Sequence, residues 1–200
     1  MGLLFTLYFL LPPVALSSSL VVDEIDIIAI RDMQLRKEGG SYFMDVVCVV
    51  RNTGKHILKF QKCKFDLSFA AEKDIRIGPA AKNEVLIGWE KNSPHTDTDI
   101  RFVTQLATDI KKFHSEISSS GEISSLILDP APKLNLHIRG EFNVGIGMKQ
   151  GWVYLKGITI DWILPLDVPR DVFVRTYKAI ERAAGKGDEP LDDELDIFAS

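Results

Sequence analysis

The sequence predicts an all-β fold in which two antiparallel sheets pack as a sandwich, with one short inserted helix and a C-terminal helix. Two observations predict it. Apolar and polar residues alternate with a period of two along most of the chain, which is typical of half-buried strands. Polar breaks that contain glycine or proline divide this pattern into seven or more runs.

The first strands follow one another from residue 24 onward. The segment Met44–Val50 is almost entirely apolar on both faces, so we expect it to be a central strand, with the chain leaving it through a turn at Asn52. The runs predicted as strands before the inserted helix are residues 24–35, 41–51, 56–69, 74–78, 84–89 and 97–107.

Residues 108–117 are predicted as the inserted helix, because Ile110, Phe113 and Ile117 recur at spacings of three and four. We expect a serine-rich loop after it. The next two runs, residues 133–146 and 152–164, alternate strongly and predict a long closing hairpin. The alternation of the second run slips by one residue at Lys156, which indicates a β-bulge.

Two segments lie outside the predicted domain of residues 23–166. Residues 1–22 hold no charged side chain, and an apolar block at residues 3–11 has the length of a secretory signal. We expect a signal peptide and an exported protein, periplasmic or secreted. The alternatives are an uncleaved anchor, which would hold the protein near a membrane, and a first strand of the domain.

The C-terminal end combines a predicted helix, residues 167–186, with an acidic tail, residues 187–200. We expect the two to bind a protein partner through apolar side chains; a disordered, solubilising end is the alternative. The side chains that carry this expectation are Phe173, Tyr177, Leu191, Leu195, Ile197 and Phe198.

The net charge of −4 comes from that tail, so the rest of the chain is nearly neutral and nucleic-acid binding is disfavoured. Trp152 and Tyr154 are predicted on the face of their strand opposite the buried one. They form either an exposed aromatic patch for a partner or apolar ligand, or a contact beneath a loop or the C-terminal helix. Cys48 and Cys63 are expected as buried free thiols, with a disulfide between them as the alternative.

Chemical sites are weakly indicated. His95, Asp97 and Asp99 alternate as metal ligands do, but a solvated loop is the preferred interpretation. No nucleophile motif accompanies His114, and His137 is expected on a wet strand face. The glycines around residue 147 precede a strand and are turn glycines rather than a dinucleotide site. We therefore expect no enzymatic activity, no cofactor and no metal.

The order of these features resembles the late-embryogenesis-abundant type 2 family, also called the water-stress and hypersensitive-response (WHy) domain. Residues 44–69 resemble its Asn-Pro unit, although Thr53 replaces the proline, and residues 74–88 resemble its glycine hairpin. Residues 99–113 resemble its strand and helix, and residues 134–165 its closing pair. The resemblance implies an immunoglobulin-like sandwich without enzymatic activity, with roles in stress protection or in binding lipids and other apolar ligands.

Together these observations predict an exported, non-enzymatic binding protein. It is expected to act as an interaction or structural subunit of a cell-envelope assembly, or as a stress-protective protein. The alternative is a carrier that holds lipid or another apolar ligand between the two sheets.

Overall fold

The computed structural model describes residues 25–54, 56–87 and 96–185. The described residues form seven strands and three helices. The strands are β1 (Ile25–Glu38), β2 (Ser41–Asn52), β3 (Ile57–Phe69), β4 (Ile75–Ile87), β5 (Thr96–Gln105), β6 (Lys133–Met148) and β7 (Gly151–Asp167). The helices are α1 (Ile110–Ser119), α2 (Gly121–Ser125) and α3 (Arg170–Ala183).

The strands close into one barrel in the order β1-β2-β5-β4-β3-β6-β7, so the predicted immunoglobulin-like sandwich is wrong. Most neighbours pair antiparallel over many residues. Two junctions are much thinner: among the described residues, β4 pairs in register with β5 only at Ala80 and Thr104, and β1 pairs in parallel with β7 only at Ala29 and Asp167. These two single pairs join the edges that a sandwich would leave open.

The strand predicted at residues 44–50 is confirmed as part of β2, although it belongs to a closed barrel and not to the centre of a sandwich sheet. β2 pairs along its whole length with β1 on one side and with β5 on the other. Met44, Val46 and Cys48 are buried in the core. Asp45 is also buried, and its Oδ2 accepts a hydrogen bond from Arg36 Nε at 3.0 Å and another from Arg101. Paired guanidinium groups are what allow a carboxylate to be buried there.

The chain leaves β2 through the expected turn. Asn52 is fully buried; its Oδ1 accepts from Gly54 N at 2.9 Å and its Nδ2 donates to His56 O at 2.7 Å. An asparagine side chain that satisfies backbone groups two and four residues ahead is a common way to hold a turn. The turn carries the chain from β2 to β3, which are not neighbours in the barrel.

The sequence predicts two separate strands at residues 74–78 and 84–89, in the segment that resembles a glycine hairpin. Instead, residues 75–87 form the single strand β4, which pairs with β3 throughout. The register shifts opposite Gly78, where a Cβ would lie 2.2 Å from Gln105 O, so the backbones approach too closely for any other residue. Pro79 lacks an N–H but is tolerated because β4 is almost unpaired on its other side.

The inserted helix is present as α1, where the side chain of Asp109 caps the N-terminus by accepting from Lys111 N at 2.8 Å. The serine-rich stretch after it is α2 rather than a loop. Ser120 caps this short helix by accepting from Ile123 N, and Ile123 is buried. Burial of one isoleucine by a capped turn therefore overrides the loop-like composition.

The helices pack at the end of the barrel where β3 and β5 finish. Phe113 of α1 is fully buried, with its ring centroid 6.2 Å from that of Phe69. α3 packs on β1, where Thr176 Oγ1 donates to Met33 O at 2.7 Å. We call this the helical end of the barrel and the opposite one the open end.

The bulge predicted in the closing hairpin is confirmed. Between the pairs Phe142–Ile158 and Val144–Leu155, β7 advances by one residue more than β6. Gly157 takes a positive φ of 66°, and its N–H donates to Asn143 Oδ1 at 2.9 Å. Among the described residues, no helix is both long enough and apolar enough to cross a membrane.

Candidate binding surface at the open end of the barrel

The open end is where β1, β3 and β5 begin, where β2 and β4 end, and where β6 turns into β7. The described part of the chain has nine large apolar side chains that are exposed, and six of them lie at this end. They are Ile57, Leu86, Met148, Trp152, Val153 and Tyr154. An uneven distribution of this kind marks a candidate interaction surface.

Four of these side chains form a continuous patch on the outer face of the barrel. Cross-strand pairing places Leu86, Lys59, Gly145 and Tyr154 in one row over four strands. A second row holds Ile57, Gly147 and Trp152. Directly paired residues point to the same face of a sheet, so these side chains are neighbours. We call Ile57, Leu86, Trp152 and Tyr154 the aromatic patch.

Glycine beneath the rings allows the patch to lie flat. A Cβ at residue 145 would stand 2.8 Å from Tyr154 Cε1 and 3.1 Å from Trp152 Cε3, so the two rings rest on bare backbone. Their centroids are 6.4 Å apart with planes inclined by 28°, which is a stacked arrangement. Trp152 remains 40% exposed and Tyr154 47% exposed.

A charged pair borders the patch. Lys59 Nζ lies 5.5 Å from the centre of the Trp152 ring and 3.1 Å from Glu84 Oε1. Gln61 Nε2 donates to Glu84 Oε2 at 3.0 Å, and these bonds hold the pKa of Glu84 below its ordinary value. The arrangement is an apolar centre beside a fixed polar rim, as in protein interaction surfaces.

An apolar cavity of about 60 Å³ lies within the barrel and is lined by side chains from all seven strands. Its lining includes Ile25 and Ile27 of β1, Phe60 of β3, and Ile160 and Trp162 of β7. A dry cavity of roughly 150 Å³ is needed to hold benzene, so the space is too small for a lipid chain unless the strands move apart.

A polar cluster on the outer face near the helical end was missed by the sequence analysis. His137, expected on a wet face, is only 5% exposed. Its Nδ1 lies 2.6 Å from Asp74 Oδ2 and its Nε2 lies 2.6 Å from Asp161 Oδ1. The hydrogen bond to Asp161 raises the pKa of His137, with a further contribution from Asp74, and the same bond lowers the pKa of Asp161.

Arg139 completes the cluster, with Nε 3.4 Å from Asp161 Oδ1 and Nη2 3.6 Å from Asp74 Oδ2. Both ring nitrogens of His137 contact carboxylates, and Arg139 Nε donates to Nε2 at 3.0 Å, so the ring links β6, β7 and the loop before β4. Nothing local in the sequence indicates this, because Asp74 lies 63 residues from His137.

The two cysteines are free and buried. Burial raises the pKa of Cys48 to about 12 and that of Cys63 to about 11, so neither thiol forms the nucleophilic thiolate near neutral pH. The chain thus holds two small apolar side chains here rather than a reactive pair.

The candidate metal ligands are ion-paired or outside the described residues. Asp97 accepts from Arg51 at 2.8 Å and Asp99 from Arg31 at 2.6 Å, while His95 lies outside the described residues. No group of three metal-ligating side chains with suitable geometry occurs within residues 25–54, 56–87 and 96–185.

The predicted partner-binding residues differ in how exposed they are. Trp152 and Tyr154 are exposed, and α3 packs elsewhere. Phe173 is buried in the core, and so it is not accessible to a partner. Tyr177 is half-buried, with its hydroxyl 3.3 Å from Ser118 Oγ. The other four, Leu191, Leu195, Ile197 and Phe198, lie outside the described residues.

Known proteins add little to this geometry. No family model and no curated protein matches the chain. A solved structure described as the crystal structure of a protein from Archaeoglobus fulgidus is 7% identical and covers 70% of this chain and 94% of its own, with a TM-score of 0.31. At that score the likeness carries no inference about function. The resemblance to the late-embryogenesis-abundant type 2 family stays a prediction.

Proposed function

We propose that this chain is a non-enzymatic binding protein of the cell envelope, exported or held at a membrane by its N-terminal segment, and that it acts as an interaction or structural subunit. The observation that carries the proposal is the aromatic patch, whose two stacked rings are exposed and preorganised on glycine backbone. Rigid, exposed aromatic side chains are the residues that dominate binding energy at interfaces.

The state of the reactive side chains supports a role without catalysis. The His137 ring is held between two carboxylates, and the raised pKa values of Cys48 and Cys63 leave both thiols protonated. A general base must reach a substrate proton, and a thiol nucleophile must ionise. Neither condition is met by these groups.

A carrier for lipid or another apolar ligand is the second candidate. The apolar cavity within the barrel favours it, but a volume of about 60 Å³ requires the strands to move apart before an acyl chain fits. Mass spectrometry of organic extracts from the purified protein tests this candidate, because a carrier retains its ligand.

Site-specific photo-crosslinking tests the main proposal. A benzophenone amino acid is placed at Tyr154 in the patch and, as a matched control, at Leu128, which is 84% exposed near α2. We expect adducts from Tyr154 in native membranes and none from Leu128. Equal labelling from both positions, or from neither, contradicts the proposal.

A further inference from the structure

The hairpin between β6 and β7 ends in a segment of unusual composition. Residues 148–157 contain Met, Trp, Val, Tyr and Leu together with Lys149 and Lys156, and they include no acidic residue. We call residues 148–157 the hairpin tip. Tryptophan, tyrosine and lysine are the side chains enriched where proteins meet the boundary between a bilayer and water.

The hairpin tip is apolar and exposed on both faces. Trp152 and Tyr154 are exposed on the outer face of the barrel. Val153 pairs with Ile146 on the opposite face, which farther along the strands points into the core, yet it is 48% exposed, and Met148 beside it is 53% exposed. Exposed apolar patches mark protein or membrane interaction sites, and a tip that is apolar on both faces suits insertion into an apolar medium.

Charge around the hairpin tip favours an anionic surface. Lys149 and Lys156 are exposed, and neither forms an ion pair with any residue in the described ranges. Lys59, beside the Trp152 ring, is ion-paired with Glu84 and so adds no net charge to the hairpin tip. Each lysine near an anionic membrane surface adds to the attraction, and long side chains let the charge stay in the headgroup layer.

We propose that the hairpin tip inserts into the interfacial layer of an anionic lipid bilayer, with Trp152 and Tyr154 at the headgroup level and Lys149 and Lys156 against the lipid phosphates. The proposal rests on the proposed function and names the partner of the same patch. In this orientation the open end of the barrel faces the membrane, and the helical end faces the aqueous phase.

Fluorescence of Trp152 tests the insertion directly. In the full chain, Trp89 and Trp162 are replaced by phenylalanine so that Trp152 reports alone. Vesicles that combine phosphatidylserine with phosphatidylcholine brominated along its acyl chains are added. We expect a blue shift and quenching of Trp152. A chain held only by its N-terminal segment would bind the vesicles without quenching Trp152, and that result overturns the proposal.

Sedimentation with vesicles measures the contribution of the side chains. Replacing both Trp152 and Tyr154 by alanine is expected to weaken binding about tenfold or more, because each exposed ring contributes apolar area. In the matched control, alanine replaces Leu128 and Ile163, which are exposed outside the open end. This variant should bind the vesicles as wild type does. Lys149→Gln and Lys156→Gln should each weaken binding to anionic vesicles about fivefold and leave neutral vesicles unaffected.

The outcomes separate this inference from the proposed function. If Tyr154 crosslinks to a protein while Trp152 stays unquenched in vesicles, the patch is a binding site and the bilayer inference is wrong. If Trp152 is quenched and Tyr154 crosslinks to lipid, the binding role of the patch and the bilayer inference are both supported. If neither signal occurs, the binding role and the bilayer inference are both refuted. Circular dichroism of each variant establishes that the barrel is intact in these comparisons.

Discussion

Replacing His137 by glutamine would test whether a protonated histidine stabilises the barrel. The ring links two carboxylates, Asp74 and Asp161, across contacts of 2.6 Å, and Arg139 lies beside all three. Glutamine keeps polar atoms near both carboxylates but carries no charge. The change therefore removes the charge while it preserves part of the hydrogen bonding.

The size of the expected change in the free energy of unfolding follows from how exposed His137, Asp74 and Asp161 are. His137 is buried, but Asp161 is 68% exposed and Asp74 34% exposed, so solvent screens much of the attraction. Hydrogen bonds to charged groups contribute about 1.5–3 kcal/mol when they are well shielded. We expect His137→Gln to lower the free energy of unfolding by about 1–2 kcal/mol at pH 5.5, which is about 2–8 °C in melting temperature.

The sign of the pH dependence follows from the direction of the pKa shift. Because the folded pKa of His137 is raised above its ordinary value of 6.5, its contribution is complete below pH 6.5 and is lost as pH rises through the folded pKa. The pKa of Asp161 is lowered from 3.8, so its contribution is present above pH 3.8 and is lost as pH falls through the folded pKa. The link is strongest between these limits.

Urea unfolding of both proteins at pH 5.5 and pH 9 provides the assay. The difference between wild type and His137→Gln should shrink at pH 9. His114→Gln is the matched control, because His114 hydrogen-bonds to the hydroxyl of Ser118 rather than to a carboxylate. An equal difference at the two pH values would refute a charged link at His137.

Three further predictions concern the core. In a urea titration, Gly140→Ala should lower the free energy of unfolding by about 1–3 kcal/mol, because the added Cβ would stand 2.1 Å from Lys64 O. Gly121→Ala is the control, because the space around Gly121 is open. Phe113→Ala should lower the free energy of unfolding measured by calorimetry by about 3–5 kcal/mol, because Phe113 is fully buried. Leu128→Ala should change it by no more than about 0.5 kcal/mol, because Leu128 is exposed. Cys48 and Cys63 should react with a disulfide reagent at pH 8 only after unfolding; fast labelling of the native protein would contradict their burial and raised pKa.

The local pattern of the chain predicted individual elements well where burial has a strict period. The alternation in β6 and β7 located both strands, and the slip at Lys156 located the bulge, because each inward side chain must alternate with an outward one. The two-sided apolarity around Cys48 likewise indicated a strand with neighbours on both sides. These features depend only on residues close in sequence.

The closure of the barrel could not be predicted in the same way. It depends on Ala80 pairing with Thr104 and on Ala29 pairing with Asp167, and a single residue pair leaves no periodic trace in the sequence. The polar cluster around His137 could not be predicted from the sequence for a related reason, because its two carboxylates come from distant segments. The exposed aromatic patch was one of two predicted alternatives, and only the position of α3 on β1 decides between them.

The junction between β1 and β7 also sets the order in which the molecule can fold. β1 meets β7 at Asp167, and α3 docks on β1 through Thr176 and Met33, which are 143 residues apart. Contacts between such distant residues form slowly, because the loop they close must be ordered first. Before β7 arrives, the edge of β1 that faces it has no partner, and in the folded barrel only Ala29 on that edge is paired. We expect a polypeptide that ends before residue 167, which lacks both this pair and α3, to be more prone to aggregation than the full chain.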